Sequence, residues 1–114
     1  MRPHYQSMNA PANRTHVMLN TQAKGRLASV RYNAVPVREQ AEMALLQDRE
    51  VVFDFIGIAV TQSFVDELIG ALILKHGPEI LERIVFKNCA DDTRAIIEFV
   101  ATDRCDQYLR SRAH

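Results

Sequence analysis

Apolar residues recur along this chain with two different spacings, and each spacing predicts a different element. After Pro36, the stretch VREQAEMALLQDRE places Val37, Ala41, Ala44 and Leu45 three or four residues apart, with Glu39, Gln40 and Glu42 between them. That spacing predicts an amphipathic helix ending near Asp48. Pro36 suits its first turn, where a missing N–H costs nothing. From residue 51 the pattern changes to VVFDFIGIAV, a short dense run rich in β-branched and aromatic residues. Such a run predicts a strand covered on both faces, as in the centre of an α/β sheet. Gly57 marks the bend out of it. Then FVDELIGALILKHG returns to helical spacing, with Phe64, Leu68, Ala71, Leu72 and Lys75 along one face. Gly77 and Pro78 stop this helix, glycine in the C-cap role and proline beyond it. Residues 79–83 read as a further helical turn.

The flanks are less regular. Residues 84–88 (IVFKN) read as a short strand and residues 93–102 (TRAIIEFVAT) as a helix; residues 103–114 extend that helix or fray. Upstream, residues 1–15 lack an apolar period and read as a flexible tail, with a single domain over residues 16–114. Residues 16–20 predict a first strand, Lys24 and Gly25 a turn, and residues 26–32 (RLASVRY) a second, edge-like strand broken by residues 33–36. The order β, β, α, β, α, β, α predicts an α/β domain: a mixed β-sheet of about four strands with about three or four helices.

Composition narrows the function classes. The 114 residues suit one core. Lys plus Arg equals Asp plus Glu, 14 each, so no net field draws the chain to nucleic acid or to an anionic membrane. Weak charge repulsion instead permits a homo-oligomer. Cys89 and Cys105 have neither CxxC spacing nor a disulfide framework around them. The first residues lack the apolar run of a signal peptide, and no stretch approaches the ~18 apolar residues of a membrane span. A cytoplasmic protein with reduced thiols is the expectation. No Ser-His-Asp order, phosphate-binding glycine loop or metal-ligand spacing is visible, so no cofactor, metal or catalytic set is assigned.

The candidate chemistry gathers at the start of the helix at residue 63. Ser63 and Asp66 have the spacing of a capping box, and Asp66 with Glu67 suits the positive end of a helix dipole. A serine at an exposed strand–helix junction is also a candidate phospho-switch or docking point, opposed there by the Asp66 and Glu67 charges. Gly70, inside a helix at a cost of ~1 kcal/mol against alanine, suggests a close approach by another backbone. Ile69, Ile73 and Leu74 point away from the Phe64 face, so neighbouring elements or a partner must cover them. Asp54 lies within an apolar strand, where a solvated face or an arginine such as Arg26 or Arg31 is the expected partner. His76 suits a helix C-terminus, and Asp91 and Asp92 are expected to keep Cys89 a thiol.

The stretch VVFDFIGIAVTQSFVDELIGAL resembles the core of STAS domains, and more closely a STAS-like family of uncharacterised bacterial proteins. The resemblance rests on Asp54, Gly57, Ser63, Phe64, Asp66, Glu67, Gly70 and Leu72, and extends loosely over residues 25–104. It implies a regulatory module that works by binding protein. In anti-sigma-factor antagonists, STAS domains bind a kinase or anti-sigma partner, and phosphorylation of a serine at this junction releases it. By that resemblance Ser63 is the switch, Gln62, Asp66, Glu67, Gly70 and Leu74 are partner-binding candidates, and the partner is an ATPase of the histidine-kinase type. Gln62 stands where the usual pattern has aspartate. Two other readings stay open: a small ligand- or nucleotide-binding domain or enzyme using Asp54, Ser63 and Glu67, and a self-associating protein with Ile73 and Leu74 in its contact face.

Overall fold

The computed structural model describes residue 3 and residues 14–19 and 31–112. Within them β1 (Arg14–Met18), β2 (Glu50–Asp54) and β3 (Ile84–Lys87) form a sheet of order β1-β2-β3. Both pairings are parallel, with Val17 beside Phe53 and Phe53 beside Phe86. The architecture is α/β as predicted, but the sheet described is three strands and wholly parallel rather than a mixed one of about four. Arg31 and Tyr32, read as the end of an edge strand, begin helix α1 (Arg31–Leu46); residues 26–30, the Lys24–Gly25 turn and most of the predicted tail lie outside the described residues. The last two residues of that tail, Arg14 and Thr15, belong to β1.

Pro36 misled the boundary because it sits inside α1 rather than at its first position. Proline removes one i→i−4 donor, here the one that would reach the Tyr32 carbonyl, and the helix runs on past it. The predicted face holds: Val37, Ala41, Ala44 and Leu45 are buried, joined by Ala34. The helix ends in a Schellman arrangement. Asp48 takes a left-handed φ of 59°, and the Asp48 and Arg49 N–H groups donate to the Leu45 and Ala44 carbonyls.

A central helical run follows β2 in three pieces: α2 (Gln62–Val65), a π turn (Asp66–Gly70) and α3 (Ala71–His76). It lies between α1 and α4 (Asp91–Arg112). Successive parallel strands joined by right-handed crossovers put α1 and the central run on the same face of the sheet. That placement explains why the run is apolar almost all round. Phe64, Leu68 and Leu72 are buried as predicted, and so are Val65, Ile69 and Ile73. Ala71 is half-buried and Lys75 exposed, so neither belongs to the buried face. Full burial of Ile73 removes it from any self-association surface, and Leu74 alone of that pair is exposed.

Gly77, at φ 92°, closes the run by donating to the Ile73 carbonyl, and the predicted turn after it is a 3-10 helix (Pro78–Arg83). Of the residues beyond 102, those to Arg112 continue α4. Arg110 pairs with Asp106 at 3.0 Å and Arg112 stacks on Tyr108. No helix among the described residues is long and apolar enough to cross a membrane.

The ends of α1 and α3 are tied through Glu42. Its Oε2 accepts from Lys75 Nζ at 2.7 Å and lies 2.6 Å from His76 Nε2. The Lys75 hydrogen bond, then that of His76, holds the Glu42 carboxyl below its ordinary value of 4.5. A carboxyl depressed in the folded state contributes stability that is fully present above its unfolded value and is lost as pH falls through the folded one. In urea melts from neutral to acid pH, wild type is therefore expected to exceed Glu42→Gln by a constant margin down to about the ordinary carboxylate range, with the margin closing below it. A margin that widened with acid would contradict this.

Candidate functional site at the C-terminal edge of the sheet

In a parallel sheet all strands end on the same edge, and the loops that leave them form a common surface. Asp54 closes β2 and is 7% exposed. A buried carboxylate is costly unless hydrogen bonds satisfy it. Asp54 Oδ1 accepts from the Ile56 N–H at 3.0 Å and from Asn88 Nδ2 at 2.9 Å. The first bond is an Asx turn; the second crosses to the loop after β3, where Asn88 holds a left-handed φ of 57°. Asp54 thus does not face solvent, and the side chain of Arg31, like Arg26, is not among those described. The carboxylate's cross-strand partner is an asparagine amide.

Two backbone bonds complete the turn out of β2. The Phe55 N–H donates to the Lys87 carbonyl, and the Ile58 N–H donates back to Phe55. Gly57, third of these four residues, has φ +69°. A type II turn requires positive φ there, which is glycine's role. The turn leaves Ile56 48% exposed beside exposed Gly57 and Ala59.

The cap of the helix is Thr61, not Ser63. Thr61 Oγ1 accepts from the Phe64 N–H at 3.3 Å. Ser63 is one turn position inside α2, and both it and Gln62 are exposed. The capping-box reading fails because Asp66 is turned elsewhere. Arg104, from α4, donates Nε to Asp66 Oδ1 at 2.5 Å and Nη2 to Oδ2 at 2.8 Å, a two-pronged pair. Glu67 points to the other flank, 3.3 Å from Arg38 Nε of α1. The two acids that would oppose a phosphate near Ser63 each face a guanidinium.

Gly70 belongs to the same arrangement. A Cβ there would meet Asp66 Oδ1 and come within 3.2 Å of Arg104 Cγ. The close approach inferred from sequence is real, but it comes from the Arg104–Asp66 pair and not from a backbone. The π turn, in which the Ala71 N–H reaches the Asp66 carbonyl, spans the same five residues. Of the predicted binding candidates, Gln62 and Ser63 are on the open edge. Asp66, Glu67 and Gly70 are engaged inside the helix packing, and Leu74 is at the far end of the run.

Cys89 lies beside this edge, half-buried, with its thiol pushed up to about 11 by burial first and by the Asp54 charge as a smaller cause. The expected protonated state stands, with burial and Asp54 as its reason in place of Asp91 and Asp92. Two cavities of about 530 and 230 Å³ flank α1, and neither is lined by Asp54, Ser63 or Glu67. Among the described residues no group of three or more His, Cys, Asp or Glu side chains is placed to hold a metal ion.

A family model described as a STAS-like domain of unknown function (DUF4325) matches residues 33–94, just over half of the chain. The chain belongs to that STAS-like family. The matched segment contains β2, the central run, β3 and both loops joined by Asp54, and it stops before Arg104. Comparison with curated proteins finds no match, and neither does comparison with solved structures.

The residues sequence reading missed are Thr61, Asn88, Arg38 and Arg104. Thr61 carried a signal, being a favoured cap type two residues ahead of Ser63; Arg104 carried none, lying 38 positions from Asp66.

Two stability experiments follow for this STAS-like domain. Thr61→Ala is expected to cost ~1 kcal/mol in urea melts and Ser63→Ala less than about 0.5 kcal/mol; the reverse order would restore Ser63 as the cap. Gly70→Ala gains ~1 kcal/mol of helix propensity but displaces the Asp66–Arg104 pair, an overpacking that costs about 1–3 kcal/mol. The net expected is destabilisation, reversing to stabilisation when Gly70→Ala is made in Asp66→Ala.

Proposed function

We propose that this STAS-like domain is a non-enzymatic regulatory module that binds a protein partner at the C-terminal edge of its sheet, with Ser63 as the point where binding is switched. The observation that carries this reading is the state of Ser63. It is exposed, it is released from capping by Thr61, and Arg104 and Arg38 face the acids one turn beyond it. Residues at i, i+3 and i+4 are neighbours on a helix surface, so a phosphate on Ser63 meets carboxylates already compensated by guanidinium groups. It also meets the positive end of the helical run.

Docking is supported by the shape of the edge. Ile56 offers an apolar contact on a turn fixed by Gly57 and Asp54, with exposed Gln62 and Ser63 polar beside it. An apolar anchor with a polar rim is the usual anatomy of a binding surface. Asp54 and Glu67, which a catalytic reading would use, are engaged in a loop bond and an ion pair, and this favours binding over catalysis. The partner class implied by the STAS resemblance is an ATPase of the histidine-kinase type.

The test is capture from the native cell on immobilised wild type, Ser63→Glu and Ile56→Asp, each first verified as folded by its melting curve. Wild type is expected to retain a protein that Ile56→Asp and Ser63→Glu both lose. The reading fails if neither wild type nor Ser63→Glu retains a protein, or if all three retain the same one equally.

A further inference from the structure

We propose that Arg38 of α1 is the receiver of the phosphate that Ser63 carries in its switched state, so that the domain reads its own modification by exchanging an internal ion pair. This rests on the reading of Ser63 as the switched residue and says what holds the phosphate once it is there. The starting point is an unsatisfied donor. Arg38 Nε is buried and makes no hydrogen bond, the single buried side-chain nitrogen or oxygen among the described residues left in that state. Glu67 Oε2 lies 3.3 Å from it, close enough for charge attraction but not aligned to accept. A buried donor without an acceptor is destabilising and calls for a reason.

The guanidinium on the other flank is in the opposite condition. Arg104 donates Nε and Nη2 to Asp66 and Nη1 to Gln107 at 2.6 Å, so each of its nitrogens is committed. Ser63 stands three residues before Asp66 and four before Glu67, a neighbour of both on the helix surface. Of the two arginines one turn away, Arg38 is the one with a donor to give. Transfer of the γ-phosphoryl group of ATP to the Ser63 hydroxyl forms the new P–O bond, breaks the bond to ADP and releases the hydroxyl proton. The product carries a charge of about −1.5 to −2 and three strong acceptor oxygens. A phosphate takes a guanidinium in a two-pronged pair of charge-assisted hydrogen bonds. Arg38 therefore leaves the misaligned contact with Glu67 for the phosphate, and Nε gains the acceptor it lacks. The exchange ties α1 to the start of the central run, and the phosphate is bound by this chain and not by the partner.

The test is a phosphorus NMR titration of the full chain with phosphoserine installed at Ser63 during translation, so that neither kinase nor partner is needed. The second ionisation of phosphoserine ordinarily falls at pH ~6. It is expected at least about half a unit lower in the wild-type background than in Arg38→Gln, because a nearby guanidinium favours the dianion. Arg38→Lys is expected to restore part of the difference, and Arg104→Gln to leave it in place. Should Arg38→Gln fail to fold, the Arg38 Nε–H resonance decides: it is expected to move downfield when Ser63 is phosphorylated and to follow the phosphate's titration. Equal titration with and without Arg38 overturns the proposal. So does an Arg38 Nε–H indifferent to the phosphate, or a phosphate that responds to Arg104→Gln or Arg31→Gln instead. Partner capture is read separately: a failed capture beside an Arg38-dependent titration removes the partner reading and leaves this one, and the reverse result does the opposite.

Discussion

A carboxylate buried at the end of the middle strand constrains everything built on that edge of the molecule. Asp54 cannot be left dry without hydrogen bonds, and the chain supplies them from two loops that are far apart in sequence. The Ile56 N–H sets the turn out of β2, and the Asn88 amide pins the turn out of β3. Each donor needs a particular backbone shape: a positive φ at Gly57 to complete the first turn, and at Asn88 itself in the second. The edge that presents Ile56, Gln62 and Ser63 is therefore preorganised, which reduces the ordering cost that a partner would otherwise meet on binding.

Below that edge, the central helical run is held from both flanks by charges of the same design. Arg104 reaches in from α4 to Asp66 and Arg38 from α1 to Glu67. The absent side chain at Gly70 makes room for the first of these. Further along, Lys75 and His76 close on Glu42 of α1. Apolar burial of Phe64, Leu68, Ile69, Leu72 and Ile73 supplies the main driving force, while the ion pairs fix which way the run is rotated between its neighbours. The two acidic residues that follow Ser63 each face a guanidinium, and Ser63 itself is exposed ahead of them.

Much of this was legible from periodicity. The dense run at residues 51–55 gave the central strand, the helical spacing after residue 63 gave the buried run, and Gly57 and Gly77 marked real turns. The errors have physical causes. Ser63 and Asp66 satisfied a local capping rule, yet Thr61 wins because the turn through Ile58 delivers the chain to the helix two residues earlier. Pro36 resembled a helix start because proline is tolerated early in a helix, and this one sits a turn further in. The partners of Asp54, Asp66 and Glu67 are set by packing, so no local pattern pointed to Asn88, Arg104 or Arg38. Membership of the STAS-like family was readable because its residues, from Asp54 to Leu72, lie in one contiguous stretch.

The preorganised edge is most directly tested by native-state hydrogen exchange on wild type and Asp54→Ala. If Asp54 ties the two loops, the Ile56 amide and the residues around Asn88 lose protection together, while amides of β2 and β3 keep theirs. Unchanged protection at Ile56, or a loss confined to one of the two loops, would contradict the account.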